Sequence, residues 1–227
     1  MPSTAVLLSG GLDSAVLLCE EASRARTTPV YVSVGLAWEP AERALVRRFL
    51  ERVTSRYDLS PLVELSLDMR DIYAPTHWAI VGRPPAYHTP DEDVYLHGRN
   101  IVLLAKAGVY CGVAGITRLV LGTLDHNPFP DATPEFRHAM NLALAKGLDH
   151  NLVIDAPYAN VSKAEVIRRG TALGLPLELT LSCMNPVASE GDARHCGRCS
   201  KCRERHDAFL EAGTKDPTDY ADRQFVA

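Results

Sequence analysis

The sequence predicts an α/β fold in which helices cover a parallel sheet. Short apolar runs alternate with amphipathic helical patterns as far as residue 67. This β-α-β-α-β rhythm is typical of parallel strands, because each crossover needs a helix. The first apolar run ends in a turn with two glycines that opens a helix. The 227 residues, 46% hydrophobic and 23% charged, suffice for one large domain with a small appendage.

Each element is predicted from hydrophobic spacing. Residues 5–8 form a continuous apolar run, as in a strand that is buried on both faces. Within 40–56, apolar residues recur three and four positions apart, which predicts an amphipathic helix, and Pro40 suits its first turn. By the same criteria the predicted strands are 5–8, 29–34, 62–67, 119–121 and 152–154, and the predicted helices are 15–25, 40–56, 101–113, 136–148 and a helix capped by Ser162 that runs to Gly170. The helix at 101–113 is rich in small and apolar residues and is expected to be buried.

Two segments show neither the helical nor the strand spacing of apolar residues. Residues 70–95 contain several prolines and are expected to form a loop over the sheet. Long loops without regular structure are often lids or binding segments, so this segment is predicted to be the lid. The last 20 or so residues are polar and are expected to be partly mobile, as chain termini often are.

Composition and charge exclude several classes of protein. The net charge of −4 does not favour indiscriminate binding to nucleic acid, and only residues 194–205 approach a basic patch. No apolar run has the length of a membrane span. The first four residues lead directly into a strand without a signal peptide, which predicts a cytoplasmic protein with reduced thiols.

The glycine turn, residues 9–14 and here called the glycine loop, predicts a phosphate site. A helix N-terminus carries partial positive charge, and glycines let backbone amides converge on an anion. The loop lacks the lysine of common NTPase loops and the glycine spacing of dinucleotide sites. A plain strand-to-helix turn with a serine cap is the alternative interpretation. The residues expected to bind the nucleotide are Leu8, Ser9, Gly10, Gly11, Leu12, Asp13 and Ser14, with the Asp13 carboxylate beside a magnesium ion.

Four of the six cysteines form a second pattern. Cys19 and Cys111 lie in apolar helices and are expected to be packing residues. Four thiolates with no open position are typical of a structural zinc site, although an iron–sulfur cluster uses the same ligands. A disulfide is disfavoured in a reducing compartment, and a redox Cys-x-x-Cys leaves two cysteines unexplained. Flanking histidines, His195 and His206, are possible substitutes. The predicted ligands are Cys183, Cys196, Cys199 and Cys202.

These motifs together resemble those of one family. The glycine loop is similar to the pyrophosphate loop of the N-type ATP pyrophosphatases. With the cysteine spacing and the motifs between them, the chain resembles the QueC (ExsB-like) family of 7-cyano-7-deazaguanine synthases from residue 5 to about residue 212. The further matching motifs are Gly98-Arg99-Asn100, Phe129-Pro130-Asp131, Glu135-Phe136, Pro157, Ser162-Lys163-Ala164-Glu165, Ser182-Cys183 and Cys196-Gly197-x-Cys199-x-x-Cys202.

The resemblance implies a fold and a reaction. The fold is a Rossmann-like domain of the adenine nucleotide alpha hydrolase type over residues 1–180, with a small C-terminal zinc-binding segment over 181–227. The cofactors are ATP, Mg²⁺ and Zn²⁺. The activity is that of an ATP-dependent carbon–nitrogen ligase, which converts 7-carboxy-7-deazaguanine and ammonia to the nitrile through an adenylated carboxylate and an amide. The expected partners are these small molecules and a second copy in a homodimer, with no membrane or nucleic acid.

The resemblance also implies residue roles. Asp13, Lys163 and Arg99 are the candidate catalytic residues, with Lys163 on the phosphates and Arg99 on a phosphate or the substrate carboxylate. The candidate substrate residues are Phe129, which would stack on the base, and Asp131 and Glu135, whose carboxylates would accept N–H groups of the guanine-like edge. Each role has a plain structural alternative. Arg99 could form a local ion pair, and Lys163 could be solvated. The segment from Asp131 to Glu135 could be a turn that starts a helix, and Phe129 could simply pack.

Two stretches depart from the family pattern. Residues 34–38 read Val-Gly-Leu-Ala-Trp where the family has a Tyr-Gly-Gln segment, and residues 127–132 read Asn-Pro-Phe-Pro-Asp-Ala where a cysteine usually ends the motif. Because both stretches lie near the expected substrate, a paralogue that adenylates another carboxylate, or that passes the deazaguanine to a macromolecule, is one alternative. A tRNA sulfur-inserting enzyme and a non-catalytic nucleotide-binding module are the others.

Overall fold

The computed structural model of the chain describes residues 3–125, 127–189 and 192–225. Five parallel strands form one sheet in the order β3-β2-β1-β4-β5, and two antiparallel strands form a second sheet. These strands are β1 Thr4–Leu7, β2 Thr27–Ser33, β3 Val63–Ser66, β4 Arg118–Val120, β5 Val153–Asp155, β6 Val187–Ser189 and β7 Asp192–Arg194. The sheet order is that of the first five Rossmann strands, which confirms the predicted α/β class.

Seven α-helices connect and cover these strands within the described ranges. They are α1 Leu12–Ala22, α2 Glu39–Val53, α3 Trp78–Val81, α4 Arg99–Ala114, α5 Pro134–Leu148, α6 Lys163–Ala172 and α7 Ser200–Ala212. The predicted cap of α6 is confirmed, because the Ser162 side chain accepts the Glu165 N–H at 3.2 Å. No helix in the described part of the chain is long and apolar enough to cross a membrane.

The sheet separates two hydrophobic clusters because side chains alternate along each strand. Val6 and Tyr31 point to a cluster that contains α1, α2 and α6, whereas Ala5 and Val30 point to one that contains α4. The four clustered cysteines belong to the first of these layers. The C-terminal segment therefore packs against the same core as the helix that follows the glycine loop.

The prediction that the helix at 101–113 is buried is wrong for one of its faces. Leu104, Ala107 and Cys111 are fully buried against the sheet, but the side chain of Val113 is 86% exposed and that of Ile101 is 47% exposed. An almost uniformly apolar helix gives no periodic signal from which its buried face can be read. The contact with the sheet, which tertiary structure decides, sets that face.

Part of the C-terminal tail, which was expected to be partly mobile, packs against the rest of the chain. Thr218 and Tyr220 are almost completely buried. The fully buried guanidinium of Arg205 donates from Nε to Thr218 Oγ1 at 2.6 Å, and the His195 N–H donates to the Asp219 carbonyl at 3.0 Å. The polar tail is held in place because buried donors, one in α7 and one just after β7, use the tail as their acceptor.

The loop expected over the sheet, residues 70–95, contains the short helix α3 and a 3₁₀ turn at Asp91–Val94. Its second half contacts the segment that carries the last three cysteines. Ala86 forms a β-bridge with Cys199, and Arg203 forms an ion pair with Asp91 at 3.3 Å. The lid function of this segment stays a prediction.

Candidate active site

The glycine loop lies at the carboxyl edge of the sheet, where β1 has β2 on one side and β4 on the other. The strand order reverses at this point, and ligands of open α/β sheets bind in the crevice that results. Gly122, just after β4, packs so closely on the loop that a Cβ at this position would lie 3.3 Å from the Asp13 backbone. The loop is thus held between the carboxyl end of β1 and that of β4.

The loop is preformed by its own hydrogen bonds. Gly10 has a left-handed conformation with φ +74°, which glycine adopts without strain. The Ser14 hydroxyl donates to the Gly11 carbonyl at 3.0 Å and accepts the Ser9 N–H at 3.2 Å. Gly11 is the N-cap residue of α1. The amides of the turn and of the first turn of α1 therefore meet at one end of the crevice, as an anion site requires.

A chain of ion pairs starts at Asp13 of the loop and runs through Lys163 and Glu204 to Lys201. Lys163 Nζ lies 3.2 Å from Asp13 Oδ2 and 2.5 Å from Glu204 Oε1, and Glu204 Oε2 lies 2.5 Å from Lys201 Nζ. Burial disfavours the Lys163 ammonium, but the carboxylates of Asp13 and Glu204 outweigh it and raise the lysine pKa. Burial likewise opposes the charge of Glu204, yet the two lysines lower the pKa of its carboxyl to about 2. Lys163 and Glu204 are therefore both charged at neutral pH.

One oxygen of this chain lacks a partner. Asp13 Oδ1 is buried and accepts no hydrogen bond from any residue that the structure describes. A buried carboxylate oxygen without a donor is costly unless a ligand or cation completes it. Hard divalent cations prefer carboxylate oxygens, so the Asp13 donor set fits the predicted magnesium ion.

Arg99 stands at the start of α4 and faces the same crevice. Its Nε is buried and donates to no group in the described ranges. The next residue, Asn100, is engaged instead, because its N–H and its side-chain amide donate to the Asp131 carboxylate at 3.1 and 3.2 Å. Burial, the main influence, raises the pKa of Asp131. A free guanidinium donor beside a fixed amide–carboxylate pair is suited to an anionic ligand.

Two adjoining cavities of about 260 and 460 Å³ fill the crevice. Both are lined by Ser9, Gly11, Asp13, Arg99 and Lys201. The smaller cavity is here called the aromatic cavity, and its further lining includes the polar residues Asn100 and Asp131. It also includes apolar and aromatic side chains, namely Val94, Tyr95, Leu96, Leu103 and Leu121. The larger, here called the polar cavity, adds charged groups, namely Glu42, Asp91, Asp125, Lys163 and Glu204.

The three predicted substrate residues differ in their positions. The ring of Phe129 lines both cavities and stacks on Tyr95 with centroids 5.3 Å apart. Asp131 is 5% exposed and lines the aromatic cavity. Glu135 is exposed in the first turn of α5 and contributes to neither of these two cavities as described. The first two are thus brought to the site, and Glu135 is not.

Glu42 of α2 is a site residue that the sequence did not single out. It is 6% exposed, lines the polar cavity and accepts the Tyr31 hydroxyl at 2.8 Å. Burial raises the pKa of its carboxyl to about 7, although Arg99 and the tyrosine pull it down. In the sequence Glu42 is one of several acidic residues of an amphipathic helix, and no local signal marks it as buried.

The four predicted cysteine ligands converge, as expected. Their Sγ atoms all lie within 4.8 Å of one another, all four residues are buried, and none is in a disulfide. The Sγ of Cys202 is 3.8 Å from that of Cys196 and 3.5 Å from that of Cys199. Four sulfurs about 2.3 Å from a tetrahedral zinc ion would be about 3.8 Å apart, so the geometry fits a zinc-sized ion.

The neighbouring histidines are engaged elsewhere. His195 Nε2 accepts the Ser182 N–H at 3.1 Å, and His206 stacks on Phe225 with centroids 4.0 Å apart. Backbone amides instead point at the sulfurs, since the N–H groups of Asn185 and Cys196 both donate to Cys183 Sγ, at 3.3 and 3.2 Å. Such N–H groups favour thiolates over thiols.

Two further residues of the site, Lys201 and Glu204, lie in α7 among the cysteine ligands. They line the polar cavity together with Lys163 and Asp13. In the sequence they belong to a charged stretch that favours a solvated helix face, and nothing in their spacing distinguishes them from Lys or Glu residues at the surface. The packing of α7 against α6 brings them to the glycine loop.

A family model and the sequences of named relatives point to one family. The family model described as "Queuosine biosynthesis protein QueC" matches residues 3–213. The 7-cyano-7-deazaguanine synthase of Anaeromyxobacter dehalogenans is 36% identical over 230 residues, which cover 95% of this chain and 94% of the relative. The synthases of Methanopyrus kandleri and of an Azoarcus species are 33% and 35% identical over 97% and 98% of this chain and 99% of each relative.

Proposed function

The chain belongs to the QueC family of queuosine biosynthesis proteins, and from this premise we propose that it makes 7-cyano-7-deazaguanine from 7-carboxy-7-deazaguanine, ammonia and ATP. The observation that carries the proposal is the meeting of two kinds of cavity at one loop. A polar cavity suited to a triphosphate adjoins an aromatic cavity suited to a flat base, and the glycine loop with Asp13 and Arg99 lies on their shared wall.

The triphosphate occupies the polar cavity in this proposal. Amides of the glycine loop and of the first turn of α1 bind the phosphate oxygens, and Lys163 adds a positive charge. Asp13 would hold the magnesium ion, which supplies charge neutralisation on the phosphates. Lys163 is already held between Asp13 and Glu204, so it needs little reorganisation when the nucleotide binds.

The deazaguanine occupies the aromatic cavity. Phe129, stacked on Tyr95, offers a ring face to the base. Asp131 is held by Asn100 and keeps lone pairs for the N–H groups of the guanine-like edge. This orientation directs the 7-carboxylate toward Arg99, whose buried Nε has no partner in the described chain. Glu135 does not bind the base in this arrangement, because it is exposed and lines neither cavity.

The chemistry follows from placing these two ligands on either side of the loop. A carboxylate oxygen of the acceptor attacks the α-phosphorus, the bond to the bridging oxygen breaks, and its electron pair leaves with pyrophosphate. Ammonia then attacks the acyl carbon and AMP departs, which leaves an amide. A second adenylation on the amide oxygen, followed by loss of protons from nitrogen and departure of AMP, gives the nitrile. The residues named contribute positioning and charge stabilisation.

The cysteine cluster has a structural role in this proposal. Cys183, Cys196, Cys199 and Cys202 would bind zinc, and four protein ligands leave no open position for a substrate. The ion would stabilise a polar segment whose own apolar core is small.

The test is a reconstituted reaction followed by mass spectrometry. Purified protein is incubated with Mg-ATP, ammonium and 7-carboxy-7-deazaguanine, and with the 7-amide in a parallel reaction. Nitrile and AMP are expected from both, with two AMP per nitrile from the acid and one from the amide. Reactions without the acceptor should give no AMP.

Two outcomes would contradict the proposal. If neither acceptor is converted while another carboxylate yields AMP, the assigned substrate is wrong, and the departures at residues 34–38 and 127–132 become the reason to search for another acceptor. Metal analysis of the same preparation that finds iron and sulfide in place of zinc would contradict the structural metal role.

A further inference from the structure

The helix α7 carries two kinds of residue on different sides of its first turns. Cys199 is its N-cap residue and Cys202 lies in its first turn, and both sulfurs are buried in the cysteine cluster. Lys201 and Glu204, three residues apart, point into the polar cavity instead. Residues three apart share a helix face, so one rigid turn connects the cluster to the nucleotide site.

Glu204 binds both lysines of this site. Each of its carboxylate oxygens accepts a different ammonium, Lys163 on Oε1 and Lys201 on Oε2, both at 2.5 Å. The side chains are only 16 to 24% exposed, so these ion pairs are shielded from solvent more than a surface pair would be. A carboxylate shared in this way fixes the distance between two positive charges.

Lys201 differs from Lys163 in what it faces. Of these two cavities, Lys163 lines the polar one and not the aromatic one, whereas Lys201 lines both, as do Asp13 and Arg99. The wall that the two cavities share is where the α-phosphate and the acceptor carboxylate must meet. Both groups are anions, and their approach is opposed by electrostatic repulsion unless a cation stands between them.

We propose that Lys201 is a catalytic cation that contacts the α-phosphate and the acceptor carboxylate during adenylation, and that Glu204 is the positioning residue that holds Lys201 and Lys163. This inference rests on the proposed function for the identity of the acceptor. The cysteine cluster then has a second effect besides stabilising the C-terminal segment, since the helical turn that would bind the metal also places Lys201 at the two cavities. Lys201 exchanges no proton and forms no bond in the step; it stabilises charge that moves from the carboxylate oxygen to the leaving pyrophosphate.

The first experiment measures binding of the α,β-methylene analogue of ATP with Mg²⁺ by calorimetry, alongside AMP formation. For Lys201→Gln we expect affinity about 10-fold weaker and kcat about 100-fold lower, the range found when one stabilising group is removed. Lys201→Arg keeps the charge and should recover to within about 5-fold. Lys146→Gln, which removes a lysine from the exposed last turn of α5, is the control and should match the wild type.

Wild-type affinity and kcat in Lys201→Gln would overturn the inference. If wild-type protein does not convert the deazaguanine acid but Lys201→Gln still weakens binding of the analogue, the proposed acceptor fails while the lysine assignment stands. Bound metal is counted in every variant, so a loss of binding with unchanged metal content reports on the lysine and not on the fold.

A footprint on wild-type protein avoids the variants altogether. Acetylation of Lys201 and Lys146 is followed by mass spectrometry with and without the analogue. Protection of Lys201 by about 5-fold or more, with Lys146 unchanged, is expected for a group that contacts phosphate. Equal acetylation of Lys201 in both states would overturn the inference.

Glu204→Gln tests the positioning residue. The amide keeps the shape but removes the charge that holds two ammonium groups, so we expect kcat to fall about 10-fold because the lysines lose their fixed placement. Glu204→Asp retains the charge and should recover part of this loss. A Glu204→Gln variant with wild-type kcat would show that Lys201 needs no positioning by this carboxylate.

Discussion

The glycine loop and the cysteine region, Cys183 with residues 195–205, meet at the same site but are built in different ways. The loop is made by neighbours in sequence, since Ser9, Gly11 and Ser14 bond to one another within six residues. The cysteine region reaches the site through contacts with distant residues, such as Glu204 with Lys163, which are 41 positions apart. A motif built locally can be recognised in sequence, whereas a contribution made across the fold cannot.

The largest effect is expected when one of the four predicted metal ligands is removed. Cys202→Ser removes one of four ligands, and structural zinc can supply on the order of 10 kcal/mol to a segment of this kind. We expect loss of the metal, a large drop in the melting temperature and weaker nucleotide binding, measured by metal analysis, calorimetric unfolding and titration.

The matched control is Cys111→Ala, which removes a thiol buried in α4 far along the chain from the cluster. It should keep the metal and lose only about 1 to 2 kcal/mol, as for a small core truncation. If Cys202→Ser loses its metal and still binds the nucleotide with wild-type affinity, the two regions are independent and the comparison fails.

The next effect lies in the glycine loop. Asp13→Asn removes the charge beside the phosphates but keeps the shape, so AMP formation should fall about 10³-fold with little change in unfolding. Asp58→Asn, at an exposed position whose carboxylate is 66% accessible, is the control and should leave the rate unchanged. Undiminished AMP formation by Asp13→Asn would contradict the role given to this carboxylate.

Alanine substitutions at three glycines with left-handed backbone conformations compare the two regions through the free energy of unfolding. Gly197→Ala would drive a Cβ into the Asp222 carbonyl, a backbone group that cannot yield, so we expect a loss of about 3 kcal/mol or more. Gly10→Ala meets the flexible Glu42 side chain at 2.9 Å and should lose about 2 kcal/mol.

Gly213→Ala is the reference for these variants, because its φ of +65° faces open space. It isolates the cost of the backbone conformation alone, about 1 to 2 kcal/mol. Chemical denaturation measures all three. Equal losses at Gly197 and Gly213 would mean that the contact of the tail with the cysteine region does not constrain that turn.

The last effect depends on pH and concerns the buried Glu42 carboxyl behind the loop. Since the pKa of Glu42 is raised to about 7 from 4.5, its proton stabilises the fold at low pH, and this stability is lost as the pH rises through that interval. Glu42→Gln lacks this titration. We expect the wild type to lose about 3 kcal/mol relative to the variant between pH 4.5 and 8, measured by denaturation at each pH.

A difference between wild type and Glu42→Gln that does not change with pH would contradict the raised pKa. Tyr31→Phe removes the hydroxyl that donates to Glu42 without touching the loop, and it sharpens the test. Without that donor the ionised form is less favoured, so the stability of this variant should change with pH at higher values than in the wild type.

Much of the fold was predictable because it depends on spacing. The strands and their parallel arrangement follow from apolar runs that alternate with helical periods, and the cap at Ser162 follows from its own side chain. The prediction failed where periodicity was absent or misleading. Val113 lies exposed on an apolar helix, and Tyr220 lies buried in a polar tail, because partners elsewhere in the chain decide both positions.

For the site, the sequence by itself determined the chemical groups that recur at short spacing: the glycine loop with Asp13, and the four cysteines. Their chemistry depends on neighbours within a turn or on one small ion, so local order is enough to indicate it. Only the tertiary structure decided that Lys201, Glu204 and Glu42 face the same crevice and that Glu135 does not. The physical reason is that burial and ion pairing are set by which helices pack together. Because α6 packs on both α1 and α7, Lys163 meets Asp13, 150 positions away in sequence, as well as Glu204.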